Sequence, residues 1–220
     1  MTDGAAFWNR HAERYAARPI KDIAAYEAML AAAAARLRPA DSVLEIGCGT
    51  GGTAIRLAAG VARYVATDFS AEMIRIAQAK PRPPNLRFLL ADAAKLPEGA
   101  PFNAICAFNL LHLVDDLPSL LRKLHAGLVP GGLLISKTWC FADLPLRLRL
   151  LFRVLRLAGL FPRARFLTQE ALHQALSEAG FQIIATNVFG GLAASRYVVA
   201  CAKGVESSPV STTPPFAEGS

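Results

Sequence analysis

Short apolar runs alternate with helix-spaced apolar positions along most of the chain. Val43 to Ile46, Val61 to Thr67, Leu86 to Leu90, Phe102 to Phe108 and Leu133 to Trp139 read as buried strands. Phe102 to Phe108 is the most continuous apolar run, which suits a strand covered on both faces, as in a parallel sheet. Between them Thr53 to Ala59, Ala71 to Ala79 and Asp115 to Leu128 have helical spacing. Ser70 stands where the second of these needs an N-cap. Val129-Pro130-Gly131-Gly132 reads as a turn before the fifth strand. Strand and helix in regular alternation define an α/β fold. Ahead of it, residues 5–37 read as two helices. The first carries Phe7, Trp8, His11, Ala12 and Tyr15; Pro19 interrupts, Asp22 to Arg36 continues, and Pro39 stops it. Near the end Thr168 caps a helix from Gln169 to Ala179, and Gly180 closes it. Phe181 to Val188 and Tyr197 to Ala202 then read as an antiparallel pair about Gly190-Gly191.

Composition changes this picture little. The 220 residues suit one domain, expected over 1–203, with a Pro/Ser/Thr-rich disordered tail from 204 to 220. Hydrophobic residues make up 53% and mean hydropathy is +0.32, but no uncharged stretch is long enough to span a bilayer. Asp3 sits where a secretion signal would be basic, so a cytoplasmic chain is expected. Cys48, Cys106, Cys140 and Cys201 are far apart and form no C-x-x-C, so neither a disulfide framework nor a metal site is expected.

The net charge of +7 matters through its placement. Residues 143–167 hold Arg147, Arg149, Arg153, Arg156, Arg163 and Arg165 with Asp143 as the nearby acid. Arg149, Arg153 and Arg156 share one helix face, and Leu148, Leu151, Phe152 and Leu155 another. Such a helix covers an apolar pocket, touches the inner face of a membrane through 146–159, or is an ordinary packing helix. The arginines have no interleaved exposed aromatics to stack bases, so specific nucleic-acid binding is not expected.

The chemistry centres on Glu45-Ile46-Gly47-Cys48-Gly49-Thr50-Gly51-Gly52. Glycines let backbone turn sharply and approach a ligand closely, and the following helix presents its free N–H groups there. Gly47, Gly49 and Gly52 satisfy the dinucleotide pattern G-x-G-x-x-G, whereas Glu45 with Gly47, Gly49 and Gly51 gives E-x-G-x-G-x-G. Asp68 follows the second strand at the distance from the glycines where an acid accepts ribose hydroxyls, the reading the spacing favours over plain turn chemistry before Ser70. Asp92 follows the third strand. Asn109 and His112 follow the fourth, at the carboxyl end where ligands of open α/β sheets bind. His112 could be a general base or a core histidine.

The E-x-G-x-G-x-G turn, Asp92-Ala93 and the segment Leu128-x-Pro130-Gly131-Gly132 together resemble the class I S-adenosylmethionine-dependent methyltransferases. The small-molecule type is meant, similar to the ubiquinone and menaquinone biosynthesis group. The leader FWNRHAERYAARPIKDIAAYEAML resembles theirs, with Ala16 where an Asp commonly follows the tyrosine. The resemblance implies a seven-stranded Rossmann-like sheet of order 3-2-1-4-5-7-6 with the last strand antiparallel. A helical cap over 1–38 and a lid insertion over 143–167 would accompany it. It implies S-adenosylmethionine as cofactor and S-adenosylhomocysteine as product. Gly47, Gly49 and Gly51 would line the methionine part, with Tyr15, Lys21 and Tyr26 at its carboxylate and Glu45 and Cys48 also in the cofactor site. Asp68 would take the ribose and Asp92 and Ala93 the adenine, Phe69, Met73 and Asn109 would also bind the cofactor, and Asn109 and His112 would face the acceptor. Trp8, Tyr15 and Tyr26 could instead only pack the leader onto the sheet.

Methyl transfer to a small or lipid-like acceptor is the function expected. An NAD(P)-dependent oxidoreductase and a non-catalytic S-adenosylmethionine-binding module contacting a membrane or partner are the alternatives.

Overall fold

A computed structural model describes residues 2–157, 161–162, 164–191 and 193–203. The expected tail at 204–220 and part of the 146–159 segment lie outside them. Two helices, α1 (Thr2–Ala16) and α2 (Ile23–Ala34), precede the sheet. Then follow β1 (Ser42–Ile46), α3 (Gly52–Ala58), β2 (Arg63–Asp68), α4 (Ala71–Gln78), β3 (Leu86–Leu90), β4 (Phe102–Phe108), α5 (Leu117–Ala126) and β5 (Leu128–Trp139). The chain continues through α6 (Leu146–Leu157), α7 (Gln169–Glu178), β6 (Phe181–Val188) and β7 (Ser195–Ala202).

The sheet order is β3-β2-β1-β4-β5-β7-β6. β1 to β5 pair in parallel, and β7 lies antiparallel between β5 and β6. Side chains alternate across a strand, so each central strand feeds two cores. Leu44, Ile46, Ile105 and Leu134 face α5 and α7, packing with Leu120, Leu124 and Leu172. Val43, Ala104, Cys106 and Ile135 face α2, α3 and α4, packing with Leu30, Leu57 and Ile74. This double burial is why the sequence shows unbroken apolar runs. The edge strands β3 and β6 alternate buried and open positions instead.

The segment Val129 to Gly132 departs from its sequence reading. It is no separate turn but part of β5, where pairing with β4 slips between Phe102↔Leu128 and Ala104↔Leu133. Gly131 takes φ +77° in that irregularity, which a glycine does without a Cβ penalty.

A third cluster lies past the end of β5. Phe141, Leu144 and Ala164 pack there with Trp139, Leu148, Phe152, Phe161 and Phe166. It anchors the inner side of α6 to the body. α1 is held against α4 by polar contacts. Asn9 Oδ1 accepts from the Ser70 hydroxyl at 2.7 Å and from the Glu72 N–H at 3.3 Å, and Arg75 pairs with Glu13 and Glu72.

Candidate functional site

The glycine turn runs from the buried end of β1 into α3. Gly47, Gly49 and Gly51 have φ of +65°, +54° and +76°. At Gly47 the restriction is also steric, since a Cβ there would come within 2.7 Å of the Leu110 side chain. Asp68 ties this turn to β2. Its Oδ2 accepts from the Gly49 N–H and its Oδ1 from the Ser70 N–H, both at 2.9 Å. The carboxyl is 7% exposed, and burial raises its pKa against the pull of those N–H groups. Each oxygen keeps a second lone pair. Asp68 can therefore take two hydroxyls while still holding the turn.

Glu45 lies beneath the same turn, almost fully buried. Tyr64 donates its hydroxyl to Glu45 Oε2 at 2.7 Å. Burial pushes the Glu45 pKa up to about 8, with the nearby Asp68 charge adding to the rise and the Tyr64 bond opposing it. The group is predominantly neutral at pH 7. Cys48 is buried beside it, and its thiol is raised well above the ordinary range by loss of water.

Two leader tyrosines reach this place. Tyr15 Cε1 lies 3.8 Å from where a Cβ on Gly49 would stand, and the Tyr26 hydroxyl lies 3.4 Å from Thr53 Oγ1. The Tyr15 phenol is raised by burial and by the proximity of Tyr26 and Asp68. The cation that lowers it is Arg18. Lys21 is exposed in the link between α1 and α2.

A cavity of about 1250 Å³ reaches the turn through Leu110, which packs at Gly47; the glycines of the turn, Asp68, Tyr15 and Tyr26 do not themselves line it. Pockets for one drug-sized ligand commonly hold about 300–1,000 Å³, so this one has room for two reactants. One wall is Gly4, Phe7 and Trp8 of α1 with Phe69 after β2. Asp92, Ala93 and Ala94 after β3 form another. Leu110, Leu113 and Val114 after β4 line the floor, and Phe161, Ala164, Phe166 and Leu167 the far side, with Arg156, Leu157 and Arg165 at its border. Asp92 Oδ1 accepts from the Ala94 N–H at 2.9 Å, leaving Oδ2 for a ligand amino group. Met73, in the first turn of α4, is buried, its N–H on the Ser70 hydroxyl, and lies off the cavity wall. A smaller concavity of about 310 Å³ between α7 and β6 lies toward the far edge of the sheet from the glycine turn.

Asn109 is exposed beside Leu110 and has φ +56°. Asn tolerates this left-handed conformation better than most residues. Its N–H donates to the Lys137 carbonyl at 2.7 Å, joining the ends of β4 and β5. His112 turns away from the cavity. Its ring stacks edge-on against Phe141, its Nδ1 faces the Trp139 N–H at 3.5 Å, and its carbonyl accepts from the Arg165 N–H at 2.7 Å. Burial lowers its pKa to about 4, leaving it neutral and weakly basic at pH 7. His112 thus braces the floor of the site. Because its folded pKa is depressed from 6.5, its share of stability is lost as pH falls from about 6.5 to about 4. Replacing His112 with Leu is expected to remove that slope, about 3 kcal/mol across the window, while cofactor affinity stays unchanged. Urea melts at pH 4.5, 5.5 and 7, with a parallel ligand titration, measure both.

Two contributors escaped sequence reasoning. Asn9 docks α1 over α4, and no local pattern marks it. Lys137 is half-buried on β5 with its pKa lowered by burial, opposed by the Asp22 charge; in sequence it is the middle one of three polar positions, Ser136 to Thr138.

These groups fit S-adenosylmethionine. Asp68 has two free acceptor sites for a ribose, Asp92 has one for an adenine amino group, and Phe69 and Ala93 offer apolar surface between them. The fold is that of the class I S-adenosylmethionine-dependent methyltransferases. The model of the family described as a methyltransferase domain matches residues 8–186, and the chain belongs to that family. An uncharacterized methyltransferase of Mycobacterium tuberculosis is 36% identical over 99 residues, which are 44% of this chain and 50% of that protein. The dTDP-4-amino-2,3,4,6-tetradeoxy-D-glucose N,N-dimethyltransferase of Saccharopolyspora spinosa is 31% identical over 112 residues, 49% of this chain and 44% of that one. The chain thus spans about half the length of the curated relatives it matches. Among solved structures, the DhpI–S-adenosylhomocysteine complex superposes with a TM-score of 0.71 at 17% identity, covering 93% of this chain and 97% of that one. S-adenosylmethionine is the cofactor of this class.

Proposed function

We propose that the chain transfers a methyl group from S-adenosylmethionine to a small or lipid-like acceptor held in the cavity. The observation that carries this reading is one continuous cavity shared by two kinds of wall. Phe69, Asp92 and Ala93 suit an adenosine, and the apolar Leu110, Leu113, Phe161 and Phe166 suit an acceptor. In this reading residues 1–38 act as the cap, 143–167 as the lid, and the catalytic unit spans 1–203.

The cofactor supplies a methyl group on a positively charged sulfur, a leaving group that needs no further activation. What the chain contributes is position and dryness. Asp68 holds the glycine turn and takes the ribose hydroxyls. Tyr15 and Tyr26 close the methionine side, and Asp92 orients the adenine. Phe7 and Trp8 exclude water from above, and Phe161 and Phe166 from the side. Asn109, at the joined ends of β4 and β5, adjoins Leu110 of the cavity wall and is the candidate polar group for the acceptor. Neutral His112 keeps Leu110 and Leu113 in place rather than removing a proton.

Calorimetric titration of the purified chain with S-adenosylmethionine, S-adenosylhomocysteine and NADH tests the reading. Micromolar binding of both adenosyl ligands, with none of NADH, is expected. Binding of NADH alone would return the glycine turn to the dinucleotide class. Cofactor binding without turnover of any apolar acceptor would favour a non-catalytic binding module.

A further inference from the structure

α6 carries apolar side chains on two sides, and only one of them is covered. Leu148 and Phe152 turn inward onto Phe141, Phe161 and Phe166. On the outer side Leu146, Leu150, Val154 and Leu157 are 64%, 50%, 61% and 85% exposed. Their spacing of i, i+4, i+8 and i+11 sets them in one stripe along the helix. Arg149, Arg153 and Arg156, at i, i+4 and i+7, border that stripe on one side, and Arg147 borders it on the other. The chain carries no Asp or Glu from Leu144 through Gln169. Soluble helices turn charge outward and leucine inward; here leucine and valine point outward, with three arginines along one side and one on the other.

We propose that this outer face of α6 docks the domain on an anionic bilayer surface. The stripe enters the boundary between headgroups and acyl chains while the arginines reach lipid phosphates on either side. Charge complementarity selects this occupant. A second copy of the chain would bring the arginine borders of both helices together. An uncharged apolar partner would leave those borders unanswered. Among the described residues no helix is long and apolar enough to cross a membrane, so contact is made in the plane of the surface. Arg156 and Leu157, at the end of the same helix, also border the cavity. Docking therefore sets the cavity mouth beside the bilayer, where a lipid-like acceptor resides. That benefit rests on the function proposed above, whereas docking itself does not.

Flotation of the full chain with vesicles tests the proposal, using phosphatidylcholine alone and phosphatidylcholine mixed with phosphatidylglycerol. Binding to the mixed vesicles is expected to be about tenfold or more stronger than to the neutral ones and to fall with salt. Leu150→Asp with Val154→Asp, and separately Arg147→Glu, should each abolish or sharply reduce it. Thermal melts and S-adenosylhomocysteine titration of the same variants should match the unmodified chain, because none of the three residues lines the cavity. If the double aspartate variant fails to fold, Leu150→Gln with Val154→Gln replaces it at the same exposed positions. Equal binding to both vesicle types overturns the proposal, and so does unchanged flotation of folded variants. A dimer in sedimentation that the Leu150 and Val154 changes dissociate, without vesicle binding, overturns it in favour of self-association. Loss of cofactor binding in the unmodified chain would instead count against the proposed function and leave docking standing.

Discussion

Replacing Glu45 with Gln is expected to stabilise this protein progressively more, relative to the parent, as pH rises from 4.5 to 8. The Glu45 carboxyl titrates near 8 in the folded chain against an ordinary 4.5, chiefly because burial disfavours its charged form. The sign follows from proton counting. Above pH 4.5 the unfolded chain gives up this proton while the folded chain keeps it, so stability is full below 4.5 and is lost as pH rises through 8. The whole shift corresponds to about 5 kcal/mol, at 1.36 kcal/mol per pH unit. Gln retains an acceptor for the Tyr64 hydroxyl and cannot ionise. Urea melts of both proteins at pH 5, 6.5 and 8 should therefore diverge in favour of the variant as pH rises. The slope of His112 is common to both and cancels in the difference. Parallel curves would mean that Glu45 ionises in the fold as it does in water.

Asp68→Ala should weaken S-adenosylhomocysteine binding by about 3 kcal/mol, or roughly a hundredfold in Kd. The change removes two acceptor sites from the cofactor. It also frees the Gly49 and Ser70 N–H groups that Asp68 now holds. Asp68→Asn separates these effects, since one amide oxygen can still hold a backbone N–H while the charge and the second acceptor are gone. It should fall between the parent and the alanine variant. Calorimetry measures affinity, and a melt without ligand measures the cost to the turn. Undiminished affinity in Asp68→Ala would take this carboxylate out of the cofactor site.

The buried Glu45 also explains why the turn was readable while its electrostatics were not. Four glycines after an apolar strand are a local signal, because left-handed backbone is a property of single residues. Ser70 before α4 and Thr168 before α7 are local in the same way, each accepting from an N–H three residues on. The pKa of Glu45 depends on Tyr64, Asp68 and the helices stacked above them, which no window around residue 45 contains. The misreading of Val129 to Gly132 has a related cause. Pro-Gly-Gly is turn chemistry, but β4 offers a partner on which the extra residues fit as an irregularity within β5.

By itself the sequence determined the strands, the glycine turn, the acids at Asp68 and Asp92 and the basic segment after β5, since each is written in residue type and spacing over a few positions. Only the tertiary structure decided that α1 crosses above Phe69 through Asn9 and Arg75. It likewise decided that His112 faces Phe141 rather than the cavity, and that α6 keeps a leucine stripe in the open. These are matters of burial and orientation, and they depend on contacts between residues far apart in the chain.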